Sequence, residues 1–158
     1  MADSTTGTTE ARRLPPKPVM NAVNGLLGAL LRSPLHRAMG ANMLLFSYTG
    51  RRTGRRYAFP LGCHRDGADI IAFAGNPWWK GFRAPLPVTV WLQGRRIAGT
   101  AQAALDPGER AALLGAFLRA RPDYARYYSV TLGPDGQPEA ESLRRAAERT
   151  VPVRIVPD

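Results

Sequence analysis

The 158-residue chain carries 22 basic and 12 acidic side chains, a formal net charge of +10, and 44% of its residues are hydrophobic. That length suits one domain and that composition excludes wholesale disorder. One cysteine and two histidines exclude a disulfide framework and a multi-cysteine zinc site. The charge is uneven, because residues 1–65 hold ten basic side chains against two acidic ones.

Residues 1–18 are polar, proline-containing and aperiodic, which predicts a disordered tail ahead of a single domain over 19–158. Val19, Val23, Leu26, Leu27, Leu30 and Leu31 recur at helical spacing and predict an amphipathic helix at the start of that domain. The segment is too short to span a bilayer, and no small-x-small cleavage site follows, so the expected location is cytoplasmic. Two readings stay open: the helix packs on its own domain, or residues 19–38, with Arg32 and Arg37, make a peripheral membrane contact.

From Met43 the texture changes to short apolar runs parted by turn signals. Strands are predicted at 43–49, 57–64, 69–74, 87–92 and 95–103, with hairpin signals at Asp66-Gly67 and Gln93-Gly94. Connections this tight exclude a parallel sheet and predict an antiparallel meander that closes into a barrel. Asp106-Pro107-Gly108-Glu109 is a capping box with a proline start, followed by an apolar helix face of Leu113, Leu114, Phe117 and Leu118 that Pro122 ends. A second, more polar helix is predicted near 139–149 and a sixth strand over 150–157, where Pro152 favours an edge or a strand start. The expected fold class is mainly β with helices (α+β): a six-stranded antiparallel barrel with two to three flanking helices.

Three segments could carry chemistry. The loop Thr49-Gly50-Arg51-Arg52-Thr53-Gly54-Arg55-Arg56 combines glycines, which let backbone N–H groups approach an anion, with guanidinium groups that fork onto phosphate oxygens. A solvated hairpin tip in an arginine-rich chain is the alternative. Around Gly75-Asn76-Pro77, the indoles of Trp78 and Trp79 beside Lys80 and Arg83 could floor a stacked planar ring or plug one end of the barrel. Tyr124, Tyr127 and Tyr128 offer hydroxyls for a substrate or a proton relay, or serve as packing. Cys63 and His64 are strand neighbours that point to opposite faces, which excludes a nucleophile–base pair. No nucleotide-loop or hydrolase fingerprint occurs, so hard chemistry would have to come from a bound cofactor. The tryptophans are separated from the arginine loop, so no nucleic-acid partner is expected.

Taken in order, these segments resemble the deazaflavin-dependent nitroreductase family, reductases of the split β-barrel flavin-binding class. That family has a strand ending in T-G-R-[RK]-[ST]-G, a strand with P-L and an R-D-G hairpin. Thr49 to Gly54, Pro60-Leu61 and Arg65-Asp66-Gly67 match them. Trp78-Trp79, Arg83 and Val88-Thr89-Val90 resemble the family's aromatic pair, basic residue and V-x-V. Pro122, Tyr124 and Tyr127 resemble its P-x-Y-x-x-Y, and Arg149 to Val153 its terminal strand. The resemblance covers about residues 24–157.

The resemblance implies a split barrel binding coenzyme F-420, a deazaflavin with a phosphodiester and an acidic polyglutamate tail. It implies cofactor contacts from Arg51, Arg52, Thr53, Gly54, Arg56, Pro60, Leu61, Ala74, Gly75, Trp78, Trp79 and Lys80, with Arg55 near the tail. Hydride would pass to a small planar hydrophobic acceptor, a quinone or nitroarene, and Tyr124, Tyr127 or Tyr128, or water, would supply the proton. Relatives also imply a monomer or homodimer. The chain departs from the family pattern at Tyr57, where an arginine is usual, in the short loop at Ala74 to Pro77, and at Gly81. These departures leave two alternatives open: FMN or another flavin-like ligand, and a non-catalytic split-barrel binder of a tetrapyrrole or lipid.

Overall fold

The computed structural model describes Gly25, Ala29, residues 41–75 and residues 77–158. The predicted tail over 1–18 and the predicted helix with its membrane-contact segment, save for those two residues, lie outside the described residues. Gly25 and Ala29 are themselves helical and exposed.

Six strands form a closed antiparallel barrel: β1 (Met43–Thr49), β2 (Arg56–Asp66), β3 (Asp69–Ala74), β4 (Leu86–Leu92), β5 (Arg95–Ala103) and β6 (Val151–Pro157). Their order around the barrel is β1-β2-β3-β6-β5-β4, so the expected simple meander is corrected. The chain leaves β3 and crosses the barrel end through a 3-10 turn (Pro77–Phe82) before β4 pairs with β1. The slot left beside β3 is filled by β6, which pairs with β3 and β5. Closure removes every free edge. Pro152 is therefore at a strand start, the second residue of β6, and not on an edge.

The hairpin signals become real turns. Gln93 and Gly94 both adopt positive φ, 51° and 76°, the geometry of a type I′ connection, and Gly67 sits at 62°. Strand alternation then sorts the side chains. Leu44, Phe46, Cys63, Ile70, Ala72, Val88, Val90, Ala101, Val153 and Ile155 fill the interior. Ile71 and Phe73 face outward, where α1 (Pro107–Ala120) and α2 (Ala140–Arg149) cover them. Cys63 is 2% exposed, and burial pushes its thiol up to about 12, so it is inert packing. His64, its neighbour, lies on the opposite face with its ring against Phe117.

The start of α1 follows its cap. The Asp106 carboxylate accepts a hydrogen bond from the Glu109 backbone N–H at 2.8 Å, and Pro107 needs no partner there. The Glu109 side chain turns to Arg154, at 3.6 Å, instead of back to the cap, so the box is half made. Asp106→Ala is expected to cost about 1 kcal/mol. Denaturant titration checks this, and an unchanged midpoint would show that the proline start alone holds the helix end. Among the described residues no helix is long and apolar enough to cross a membrane.

Candidate functional site

Antiparallel pairing puts the β1–β2 loop, the 3-10 turn and the start of α1 at one end of the barrel. The loop is tightly folded: the Gly50 N–H donates to the Arg55 carbonyl at 2.8 Å and the Gly54 N–H to the Gly50 carbonyl at 2.9 Å. Gly54 sits at φ 63°, a conformation that favours glycine. The Arg55 N–H donates to Thr53 Oγ1 at 3.2 Å. Arg51 reaches across to donate to the carbonyl of Pro85, which ties the loop to the segment before β4. Arg56 makes a long contact, 3.5 Å, from its Nε to Ser47 Oγ. Arg52 and Arg55 are exposed, and no acid pairs with any of these four guanidinium groups among the described residues.

Beside the loop lies a cleft of about 390 Å³ on the outer face of β1 and β4. It is lined by Arg56, Ser47, Thr49, Thr89 and Pro87, among others. Hydroxyl groups around a guanidinium group with no acidic partner among the described residues suit an anionic ligand. From Arg56 the outward row of β2 continues through Ala58, Pro60 and Gly62, about 20 Å at ~3.3 Å per residue. Leu45, buried, stands opposite Pro60 across β1. A side chain built at Gly62 would meet nothing within 4 Å, so this end of the row is open.

On the β3 side of that row lies the tyrosine cluster. Cys63 pairs with Ala72, which brings the outward Phe73 level with Gly62. Tyr128 packs on Phe73 and Phe117, with ring centroids 6.1 Å away in each case. Burial, with a smaller contribution from Tyr127 and Tyr124, pushes the Tyr128 phenol well above its ordinary value. The tyrosines are not equivalent. Tyr124 lies under the Arg121 guanidinium at 4.7 Å, and Arg121 is held by both oxygens of Asp123 at 2.9 and 2.7 Å. Tyr127 is 79% exposed and stacks edge-on to Tyr128.

The structure separates other residues that the resemblance grouped as cofactor contacts. Leu61 faces the interior, opposite in sense to Pro60, and packs on the core. Trp78 is also interior: its ring lies 5.2 Å from both Phe46 and Phe59 and 5.5 Å from Phe82, so it plugs the barrel end. Ala74 is buried at the end of β3, while Gly75 and Lys80 are exposed. Trp79 lies between two guanidinium groups, Arg83 at 5.6 Å and Arg110 at 5.7 Å, and so links the 3-10 turn to α1. Ser47, Thr89 and Gly62 were missed by sequence reasoning. Only the alternation of β1, β2 and β4 around the arginine loop could have brought them out.

A closed six-stranded antiparallel barrel with helices outside it and an arginine-rich loop at one end is consistent with the split-barrel fold. The family model described as F420H(2)-dependent quinone reductase matches residues 28–133, and the chain belongs to that family. It is thus an F-420-dependent oxidoreductase, with coenzyme F-420 as its cofactor.

Three solved structures show the range of similarity. An F420-H2 dependent reductase (FDR-A) is 22% identical, over 73% of this chain and 93% of that one, with a TM-score of 0.49. A domain-swapped dimer is 21% identical, over 88% and 98%, at 0.49. The FAD and heme binding protein from Mycobacterium smegmatis is 17% identical, over 84% and 65%, at 0.48. No curated protein matches the chain.

The donor set fits the cofactor. Four guanidinium groups with no acidic partner among the described residues, and the hydroxyls of Ser47, Thr49 and Thr89, match a phosphodiester and an acidic tail.

Proposed function

We propose that the protein reduces a quinone at the outward face of β2, with the cofactor's phosphate at the arginine loop and its ring beside Pro60 and Gly62. The observation that carries this reading is the arginine loop with its hydroxyl-lined cleft at one end of the outward row of β2, with the Tyr128 ring packed on Phe73 level with Gly62. When bound, the reduced cofactor supplies the hydride. The protein's work is placement and hydrogen bonding to the acceptor.

Arg52, Arg55 and Arg56 hold the charged end, and the hydroxyls of Ser47, Thr49 and Thr89 fill its remaining acceptor positions. The half-buried ring of Pro60 gives the deazaflavin an apolar contact. Tyr128 Oη makes no hydrogen bond to a described residue, and its raised pKa keeps the proton on it throughout the physiological range. It is therefore a hydrogen-bond donor to the acceptor oxygen on which charge develops, and its raised pKa leaves the proton itself to come from water. Tyr124 is held by Arg121 and serves as support. Tyr127 borders the entrance. The membrane contact and the dimer belong to the same proposal, since a quinone is a membrane-borne acceptor and a partner could cover the groove.

The test is to titrate the protein with coenzyme F-420 while following tryptophan emission, then to mix the reduced complex with a short-chain quinone. Saturation below about 10 μM, near −7 kcal/mol, is expected, followed by quinone-dependent reoxidation of the cofactor. Absence of saturable binding at several times that concentration would overturn the reading.

A further inference from the structure

Tyr57 belongs to no part of the machinery just described, yet it touches the arginine loop in two ways. It is the second residue of β2 and points toward the barrel mouth, where its ring stacks on Tyr48 at 5.2 Å and 22°. Tyr48 in turn packs on Phe46 and Phe82, at 5.8 and 4.9 Å, so the stack is anchored in the interior aromatic cluster. The outer side of Tyr57 meets the loop. A side chain at Gly50 would come within 3.0 Å of Tyr57 Cε2 and 2.9 Å of Thr53 Oγ1. The Tyr57 hydroxyl lies 3.4 Å from Thr53 Oγ1, a long contact, so the ring matters more than the hydroxyl.

We propose that Tyr57 is a positioning residue that holds the arginine loop in its cofactor-binding shape, a role that rests on the reading that this loop takes the cofactor's phosphate. The loop backbone folds back on itself through Gly50, Gly54 and Arg55, and that fold sits on the Tyr57 ring. Arg51 clamps the other side to Pro85. With floor and clamp in place, Arg52, Arg55 and Arg56 leave a fixed backbone. Without the floor, the loop must be ordered at each binding event, and affinity falls by that ordering cost.

The closing experiment uses the loop's own arginines as trypsin sites. In cofactor-free protein, Tyr57→Ala is expected to speed cleavage within residues 51–56 roughly fivefold or more, identified by fragment mass. In the same variant, affinity for coenzyme F-420 should fall about tenfold, with kcat changed much less. Tyr57→Phe keeps the ring and should restore both readouts to within about twofold, which a role through the hydroxyl would not allow. Gly50→Ala should mimic Tyr57→Ala, and the double variant should be less than additive, because both act on one contact. Tyr57→Leu keeps apolar bulk and guards against a variant that fails to fold.

Unchanged trypsin cleavage in folded Tyr57→Ala and Tyr57→Leu overturns the proposal. So does faster cleavage with unchanged affinity in a protein whose affinity still depends on Arg52 and Arg56. If those arginines prove irrelevant as well, the failure lies with the cofactor assignment of the loop, and the trypsin result shows this separately.

Discussion

Replacing Arg52 and Arg56 together with alanine is expected to weaken binding of coenzyme F-420 about 100-fold while leaving the barrel folded. Hydrogen bonds to charged groups contribute about 1.5–3 kcal/mol each. Both side chains are exposed, so the low end applies, and two such bonds give roughly 3 kcal/mol, or two decades of affinity. Stability should change by no more than about 0.5 kcal/mol for each position, as for other surface sites. Neither guanidinium group has an acidic partner among the described residues, and the Arg56–Ser47 contact is long at 3.5 Å. The proper control removes the same charge elsewhere. Arg95 and Arg96 lie in the β4–β5 hairpin at the opposite end of the barrel. Arg95→Ala with Arg96→Ala should therefore leave affinity nearly unchanged. Equal losses in the two double variants would mean that the cofactor senses net charge rather than this loop. Tryptophan quenching at two salt concentrations measures both, since screening weakens only the exposed electrostatic part.

The local signals in the sequence carried the strands because each rests on one or two residues with a physical preference. Asp66-Gly67 and Gln93-Gly94 name their own turns, and Asp106 with Pro107 names a helix start. Alternation within β2 already parts Cys63 from His64. The same rule, applied three residues earlier, parts Pro60 from Leu61, although a matching motif places the two side by side in the sequence. A motif preserves order along the chain but does not say which face a residue takes. Topology was legible only in part. Nothing local in residues 75–85 states that this stretch crosses the barrel end, because that follows from Trp78 and Phe82 finding Phe46 across the interior. Pairing of β6 between β3 and β5 is likewise a long-range choice, made when closure leaves one slot with two unsatisfied ladders. The arginine loop was visible from its composition. Its hydroxyl-bearing neighbours were not, since Ser47 and Thr89 are ordinary strand residues until pairing lines them up.

Phe46→Ala should produce the largest loss of stability, about 3–5 kcal/mol. Phe46 is fully buried at the centre of the plug, with ring centroids of Trp78, Phe82, Tyr48 and Phe59 at 5.2, 5.4, 5.8 and 5.9 Å. Deleting the ring removes apolar burial and leaves a cavity whose walls come from two strands and the 3-10 turn, which cannot collapse without moving each other. For a chain of this length, such a loss lowers the melting temperature by about 10 °C or more. Phe46→Leu keeps most of the volume and should cost less than half as much. The function should follow the plug. The 3-10 turn leads directly to Pro85, whose carbonyl holds Arg51, and Tyr48, which stacks under Tyr57, also packs on Phe46. Well below its melting point, Phe46→Ala should therefore bind the cofactor more weakly, and its Trp78 emission should shift to the red as water enters. A folded Phe46→Ala protein with full affinity would show that the arginine loop is held without the barrel plug beneath it.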